Sequence, residues 1–471
     1  MSKELSARLA IMVALTLVLL IPLQMVSSLV DERQGRQQEA LAGIQQSVSG
    51  AQRIAGPVLV LPYKVRSEEK IQIKEQREFK VMMPENGQMV EKSVTREVVR
   101  DELKVTFTDK QREILPQVLK MDGKVATQSL YRGLYVALTY DADLKINGSF
   151  DVNAVDLADN PSVTFGTPYL AIGVGDVRGI RKAPQVKWAG RDRAVEAGNF
   201  LSQLGPGVHV PLPDLTLGVR ATLPFDLALP VQGMESLYFS PLGKDTRVSL
   251  RADWPHPSFT GHFLPATREI DEHGFNAQWQ TSWFATNMPA AFTDEGRKVH
   301  TDREQDFGVK FIQPVDTYQQ TDRSIKYGVL FVLLTFTAVF VFELMRRLRV
   351  HPVQYLLVGA ALAVFFLLLI ALSEHIPFAY AYLTASVACV ALIGFYLAFV
   401  LRHWQRGTGF GALLGLLYAA LYGMMCSEDN ALLLGSGLLF GVLALVMVLT
   451  RRLDWYSIGK IQADNAPISV T

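Results

Sequence analysis

Two patterns of apolar residues divide this chain. Six long apolar runs cover residues 9–30, 326–345, 353–373, 378–401, 409–426 and 431–450. A helix needs ~20 mostly apolar residues to cross the ~30 Å hydrocarbon layer, and all six runs reach or approach that length. Between the first and second runs no other such stretch occurs, and the pattern changes. Residues 34–50 place Leu41, Ile44 and Val48 at helical spacing beside Arg36, Gln38 and Glu39, a helix continuing out of the first span. Gly50 and Gly56-Pro57 are the expected stop.

Alternation then takes over. Val58-Leu59-Val60-Leu61 is an apolar strand. Leu144, Ile146, Phe150 and Val152 alternate with polar neighbours, as do Leu215, Leu217 and Val219, then Val248, Leu250, Ala252 and Trp254. Phe275, Ala277, Trp279, Thr281 and Trp283 line one side of another strand. Period two with one wet face predicts a mainly antiparallel domain, a β-sandwich or related two-layer sheet. Asn147-Gly148, Asn160-Pro161, Gly205-Pro206 and Pro241-Leu242-Gly243 are the expected turns. The charged stretch 66–112 has few large apolar residues and reads as a solvated hairpin or insertion; a contact surface for a partner is the sharper alternative.

The fold class is therefore a six-span helical bundle with a large β domain: 1–30 anchor, 31–324 β-rich domain, 325–451 five-helix bundle, 452–471 tail. Lys and Arg fall on alternate sides. Lys3 and Arg8 precede the first span, Arg346, Arg347 and Arg349 follow the second, Arg402 and Arg406 follow the fourth, and Arg451, Arg452 and Lys460 follow the sixth. The loops at 373–377 and 427–430 have neither. The positive-inside rule then puts both termini in the cytoplasm and the β domain outside. A cleaved signal peptide, cut near Val26-Ser27-Ser28, is the rival reading of the first run, but its apolar stretch exceeds the usual ~7–15 residues.

With 46 basic and 45 acidic residues the chain has a formal charge of +1 and no evident basic patch, which disfavours nucleic acid. Both cysteines, Cys389 and Cys426, lie in spans, so the β domain is held by its core and not by disulfides.

Catalytic signatures are weak. There is no nucleophile elbow, zinc-protease helix, Walker loop or dinucleotide fingerprint. Gly173 to Gly179 reads as a tight turn at a strand end, with Asp176 and Arg178 pairing or capping it. His256 and His262 with Glu269, Asp271 and His273 could supply zinc ligands. The prolines around His256 favour a structural turn anchored by Trp254 instead. Trp279 and Trp283 read as core, with stacking on a sugar or lipid as the alternative. No ionisable residue falls near mid-span, which argues against a proton-driven transporter or intramembrane protease. Glu374-His375 could act as an outer-surface acid/base couple, but a wet interfacial pair is favoured. Gly411 with Gly415, and Gly437 with Gly441, have the spacing for close helix packing within the bundle or against another copy. Tyr327, Tyr355, Trp404, Trp455 and Tyr456 are expected headgroup anchors.

Several stretches together resemble the CreD family of bacterial inner-membrane proteins: Gly175-Asp176-Val177-Arg178-Gly179-Ile180, Trp254-Pro255-His256-Pro257-Ser258-Phe259, Phe263-Leu264-Pro265, Trp283-Phe284-Ala285, and Asp316-Thr317-Tyr318-Gln319-Gln320-Thr321-Asp322-Arg323. His351-Pro352-Val353-Gln354-Tyr355, Leu372-Ser373-Glu374-His375, Ala431-Leu432-Leu433-Leu434-Gly435 and Asp454-Trp455-Tyr456 continue it in the same order. The resemblance departs mainly at 66–130, which is longer here. It implies a Gram-negative inner-membrane protein with a periplasmic domain, expressed under a two-component stress regulon and linked to colicin tolerance, β-lactam response and cell shape. It implies no catalytic residues.

The function expected is non-enzymatic support of cell-envelope integrity, the domain binding an envelope component or partner. Handling or transport of lipid or lipid-linked precursors is the alternative, and a periplasmic hydrolase ranks last. Asp176, Arg178, Trp254, His256, Asp322, Arg323, Glu374 and His375 are the candidate coupling or interface residues. The phospholipid membrane is the expected partner. Envelope proteins, lipid or glycan are the candidate ligands, no cofactor or metal is invoked, and the oligomeric state stays open.

Overall fold

A computed structural model describes residues 3–85, 88–152, 162–215, 221–286, 305–313, 317–346, 350–400, 404–426 and 431–451. Leu217, Val219, Asn160-Pro161, Asp316, the loop 427–430, Trp455, Tyr456 and the tail lie outside these residues. The chain forms two compact units, residues 41–313 and residues 1–40 with 314–471.

The first unit is built of strands β1 (Gln52–Glu85), β2 (Gln88–Ile114), β3 (Val118–Arg132), β4 (Tyr135–Asp151), β5 (Val163–Phe165), β6 (Tyr169–Val174), β7 (Gln185–Trp188), β8 (Arg191–Arg193), β9 (Glu196–Ala197), β10 (Gly207–Pro211), β11 (Thr222–Met234), β12 (Ser236–Phe239), β13 (Asp245–Ala252), β14 (Pro257–Gly261), β15 (Thr267–Asp271), β16 (Gly274–Ser282) and β17 (Phe307–Phe311). One sheet runs β14-β17-β12-β1-β6-β10-β9, with β2 and β5 also on β1; the other runs β15-β16-β13-β3-β4-β11-β7-β8. Both contribute to a single apolar core, where Trp279 of β16 meets Phe307 of β17 at 5.7 Å between ring centroids.

The pairing is mainly antiparallel, as expected, but the sheets are mixed: β1 pairs with β12, and β3 with β13, in parallel. Alternation tells which face of a strand is buried, and says nothing about the direction of a neighbour more than a hundred residues away. One turn expectation also fails, and one helix-stop signal lies in a strand, although the helix does end at Ser47. Asn147-Gly148 lies within β4, paired to β3 and β11. A Cβ at Gly148 would stand 2.0 Å from the Val118 carbonyl oxygen, so this glycine serves close strand approach. Gly56-Pro57 sits inside β1, where the register to β6 shifts between Ala55 and Val58. Gly205, at φ +79°, and the stretch 240–244 do form the predicted turns. Trp279 is buried as expected, whereas Trp283 has left the strand for a single helical turn and is only half-buried, beneath Lys244 Nζ at 4.8 Å.

The charged stretch is a hairpin. β1 and β2 pair continuously from Leu59↔Ile114 to Glu85↔Gln88, spanning the Asn86-Gly87 dipeptide. β5 covers β1 only at Tyr63–Val65. Beyond it β2 is the only described strand that pairs with β1, and the two form a ribbon of about 20 residue pairs, roughly 60 Å at ~3.3 Å per residue.

The second unit is helical: α1 (Lys3–Ser47, to Ala40 in this unit), α2 (Thr317–Lys326), α3 (Gly328–Arg346), α4 (Pro352–Ser373), α5 (Phe378–Val400), α6 (Trp404–Cys426) and α7 (Ala431–Thr450). Among the described residues, five helices are long and apolar enough to cross a membrane, and six if α2 and α3, bent by 45° at their junction, count as one span. Leu19, Leu23, Val26 and Val30 form a stripe on α1 that enters the bundle core. Phe331, Phe365, Tyr382 and Tyr418 form its aromatic centre. The Tyr382 hydroxyl donates to the Tyr418 carbonyl (2.7 Å), and the Tyr418 hydroxyl donates to Cys389 Sγ (3.1 Å). Polar atoms at this depth thus satisfy one another, as a medium without water requires.

Of the glycine pairs, Gly411 meets a neighbouring helix within the chain. A Cβ on Gly407 would fall 2.4 Å from Ala398 Cβ, and a Cβ on Gly411 would stand 3.9 Å from Gly394 Cα, so α5 and α6 cross where Gly394/Ala398 meet Gly407/Gly411. Gly415, Gly437 and Gly441 have open space where a Cβ would go. The four-residue spacing was the right signal, set one repeat too far along α6. Gly407→Leu is expected to lower the melting temperature of the detergent-solubilised chain by the equivalent of ~1–3 kcal/mol of overpacking. Gly437→Leu should change it by less than ~0.5 kcal/mol. Equal tolerance of both would refute the crossing.

Candidate functional site

Asp176 and Arg178 are brought together. Asp176 caps the 3₁₀ turn Val177–Gly179 and accepts from the Arg178 amide (3.1 Å). Its carboxylate accepts from Arg178 Nη2 (2.6 Å) and Nε (3.0 Å), and from the Gly50 amide (2.9 Å). Arg178 Nη1 donates in turn to the Gln46 carbonyl in the last turn of α1 (2.8 Å). The guanidinium holds the Asp176 carboxyl at about 2, with the Gly50 and Arg178 amides adding to the effect and burial opposing it. Gln52 extends the knot: its Nε2 donates to the Asp176 and Gln232 carbonyls (3.0 and 2.7 Å), and its Oε1 accepts from the Asp176 amide (3.1 Å). A turn on one strand end therefore fastens the end of α1 to the β sheets, the pairing and capping role predicted for these residues.

Trp254 and His256 lie elsewhere in this unit. Trp254 Nε1 donates to the Ile312 carbonyl (2.9 Å), and the Ile312 amide donates to the His256 carbonyl (3.2 Å). Asp253 accepts from the amide and hydroxyl of Thr127 (both 2.8 Å). This is the anchored turn, and the His256, His262 and His273 imidazoles are exposed along it. No cluster of three metal-ligating side chains occurs among the described residues.

In the helical unit Glu374 caps α4 and lies 3.3 Å from Arg33 of α1, its side chain only 9% exposed. Glu374 Oε1 has no donor aligned for a hydrogen bond, so the contact is one of charge. His375 beside it is exposed. The acid/base couple is thus replaced by an ion pair that ties α1 to α4. Asp322 pairs with Lys326 one turn along α2 (2.6 Å), and Arg323 shares that helix. Tyr355 is no headgroup anchor: it is buried and donates to Glu343 Oε2 (2.8 Å), which places the Glu343 carboxylate inside the bundle near the α3 end.

One site escaped sequence reading, and a second was read only as a charged hairpin or contact surface, without its apolar face. Asp306, buried, accepts from Arg53 Nε (2.5 Å) and from Ser240 Oγ (2.6 Å). The other is the ribbon. Paired residues share a face, so Ile71, Ile73, Phe79, Val81 and Met83 of β1 lie on one side with Val94 and Val98 of β2. All seven are half-buried or exposed. Leu103, Val105 and Phe107 are exposed on the opposite side nearer its base.

A set of bilayer-length helices joined to one large mixed-sheet domain defines a multi-pass membrane protein. A family model described as "Inner membrane protein CreD" matches residues 4–456. Over 457 residues, 95% of this chain and 94% of the relative, the chain is 37% identical to the inner membrane protein CreD of Escherichia coli (strain K12). The chain belongs to the CreD family of inner membrane proteins. Among solved structures, the M1 zinc metallopeptidase from Deinococcus radiodurans aligns with 36% of this chain and 39% of its own at 12% identity and a TM-score of 0.16. The Salmonella SPI-1 injectisome secretin InvG aligns with 42% and 68% at 10% identity and a TM-score of 0.06. Scores this low carry no argument about fold or activity.

Proposed function

We propose that this chain is a non-enzymatic inner-membrane protein that supports envelope integrity by docking an envelope protein on the β1–β2 ribbon. The alternating basic loops favour a periplasmic β domain and cytoplasmic termini. The carrying observation is the row Ile71, Ile73, Phe79, Val81, Met83, Val94 and Val98, half-buried or exposed, on a ribbon where β2 is the only described partner of β1 beyond Val65. A row of apolar side chains left at the surface favours an interaction site. Residues 66–112 hold eleven basic and ten acidic side chains, so the ribbon suits a protein surface better than a polyanion. The charged residues singled out in sequence support the same reading, since Asp176, Arg178, Asp322 and Glu374 are engaged in structural pairs.

The test is photocrosslinking in intact cells from positions along the ribbon, combined with Phe79→Ser/Met83→Ser. Two anchors at ~1–2 kcal/mol each should cost about ten- to a hundredfold in crosslinked partner, with loss of envelope protection and unchanged amounts of protein in the membrane. Full protection by the double variant, or by a chain lacking 68–104, would end the proposal.

A further inference from the structure

The bundle contains an apolar cleft of about 560 Å³ between α3, α6 and α7. Leu334 and Leu417 line its inner end, and Phe342, Gln405 and Leu449 its outer end. On α6 the lining runs from Gln405 to Leu417, ~18 Å at 1.5 Å per residue, close to one leaflet of a ~30 Å hydrocarbon layer. Of the lining residues only Thr337 and Gln405 are polar, and Thr337 donates its hydroxyl to the Leu333 carbonyl (2.8 Å). The cleft separates α7 from its neighbours, and none of the apolar stretch of α7 is buried within the chain.

Charge marks one end. Arg346 closes α3 four residues beyond Phe342, Arg406 follows Gln405, and Arg451 follows α7 two residues beyond Leu449. The far ends of α6 and α7 are joined by Ser427-Glu428-Asp429-Asn430, with no basic residue. We infer that the cleft is a resident lipid site. It takes one acyl chain of an anionic glycerophospholipid from the leaflet on the basic side, where the helix ends that border the cleft carry arginines in sequence. The chain fills space that would otherwise leave the lining without contact partners and holds α7 to the bundle. The site stands independently of the ribbon's role.

Gly409 lines the cleft and has no atom within 4 Å of a Cβ position, so Gly409→Phe starts a bulky side chain in open space at the cleft wall. Gly423 is equally open on the same helix and lies outside the lining, which makes Gly423→Phe the matched control. The full chain, reconstituted in equimolar phosphatidylglycerol and phosphatidylethanolamine vesicles and released into mild detergent, is weighed intact by native mass spectrometry. Wild type and Gly423→Phe should retain one phospholipid per chain, predominantly phosphatidylglycerol. Gly409→Phe should retain about tenfold less, and Arg346→Gln/Arg451→Gln should bind the two lipids equally. A wild-type chain without retained lipid overturns the site. So does retention unaffected by Gly409→Phe, a headgroup preference unaffected by the arginine pair, or a dimer that seats a second copy's helix in the cleft.

Discussion

Asp306→Ala is expected to destabilise the β domain by about 3–5 kcal/mol, the range for removing one partner of a buried ion pair. Asp306 and Arg53 side chains are 9% and 18% exposed, and their contact joins β1 to the residue just before β17. The carboxylate also receives the Ser240 hydroxyl, next to the end of β12. Without it, the Arg53 guanidinium stays desolvated with no counter-charge and Ser240 loses its acceptor, so the penalty exceeds the worth of the contact itself. Denaturant unfolding of the full chain in detergent reads this directly, since Trp188, Trp254, Trp279 and Trp283 place four of the six tryptophans in this unit. Replacing both partners, Arg53→Met/Asp306→Leu, should recover much of the loss because no orphaned charge remains. A single variant within ~0.5 kcal/mol of wild type would show that the pair is not a structural bond of the core.

That pair was invisible in the sequence for a physical reason. Arg53 and Asp306 are 253 residues apart, and neither sits in a local pattern that distinguishes a buried charge from a wet one. The same holds for Arg33 with Glu374. Glu374 was legible as a polar residue at a helix end, but its partner on α1 depended on how the helices pack. Local patterns fared better. Apolar runs located the helices because a bilayer-length stretch has few other uses, and alternation located Leu144, Ile146, Val248 and Leu250 in strands because period two is a property of one strand alone. Asp176 and Arg178 were legible because their turn is closed by residues two apart. The two parallel pairings were not, and neither was the role of Gly148, whose Asn-Gly dipeptide is a turn signal only when no neighbouring strand demands a missing Cβ. The ribbon's apolar face lay hidden in a stretch dominated by charge, and it appears only when the register brings Phe79 opposite Val94 and Glu75 opposite Val98.

Trp279 offers the complementary experiment, on a residue whose place was readable. Its alternation with Phe275 and Ala277 put it on the inner face of β16, and it is 2% exposed. Phe259 and Phe307 pack against it at 5.6 and 5.7 Å between ring centroids. Trp279→Ala removes the largest fully buried side chain of the core and should cost about 3–5 kcal/mol. Trp279→Phe separates volume from polarity. The buried indole Nε1 has no hydrogen-bond acceptor, so replacing it by a phenyl ring relieves an unsatisfied donor while leaving part of the volume filled. Its loss should be less than half that of the alanine variant. If both substitutions were equally damaging, the indole N–H would have to be engaged, and the sugar- or lipid-stacking role considered for this tryptophan would return. Folding equilibria of the two full-length variants, followed by the emission of the remaining tryptophans, distinguish these outcomes.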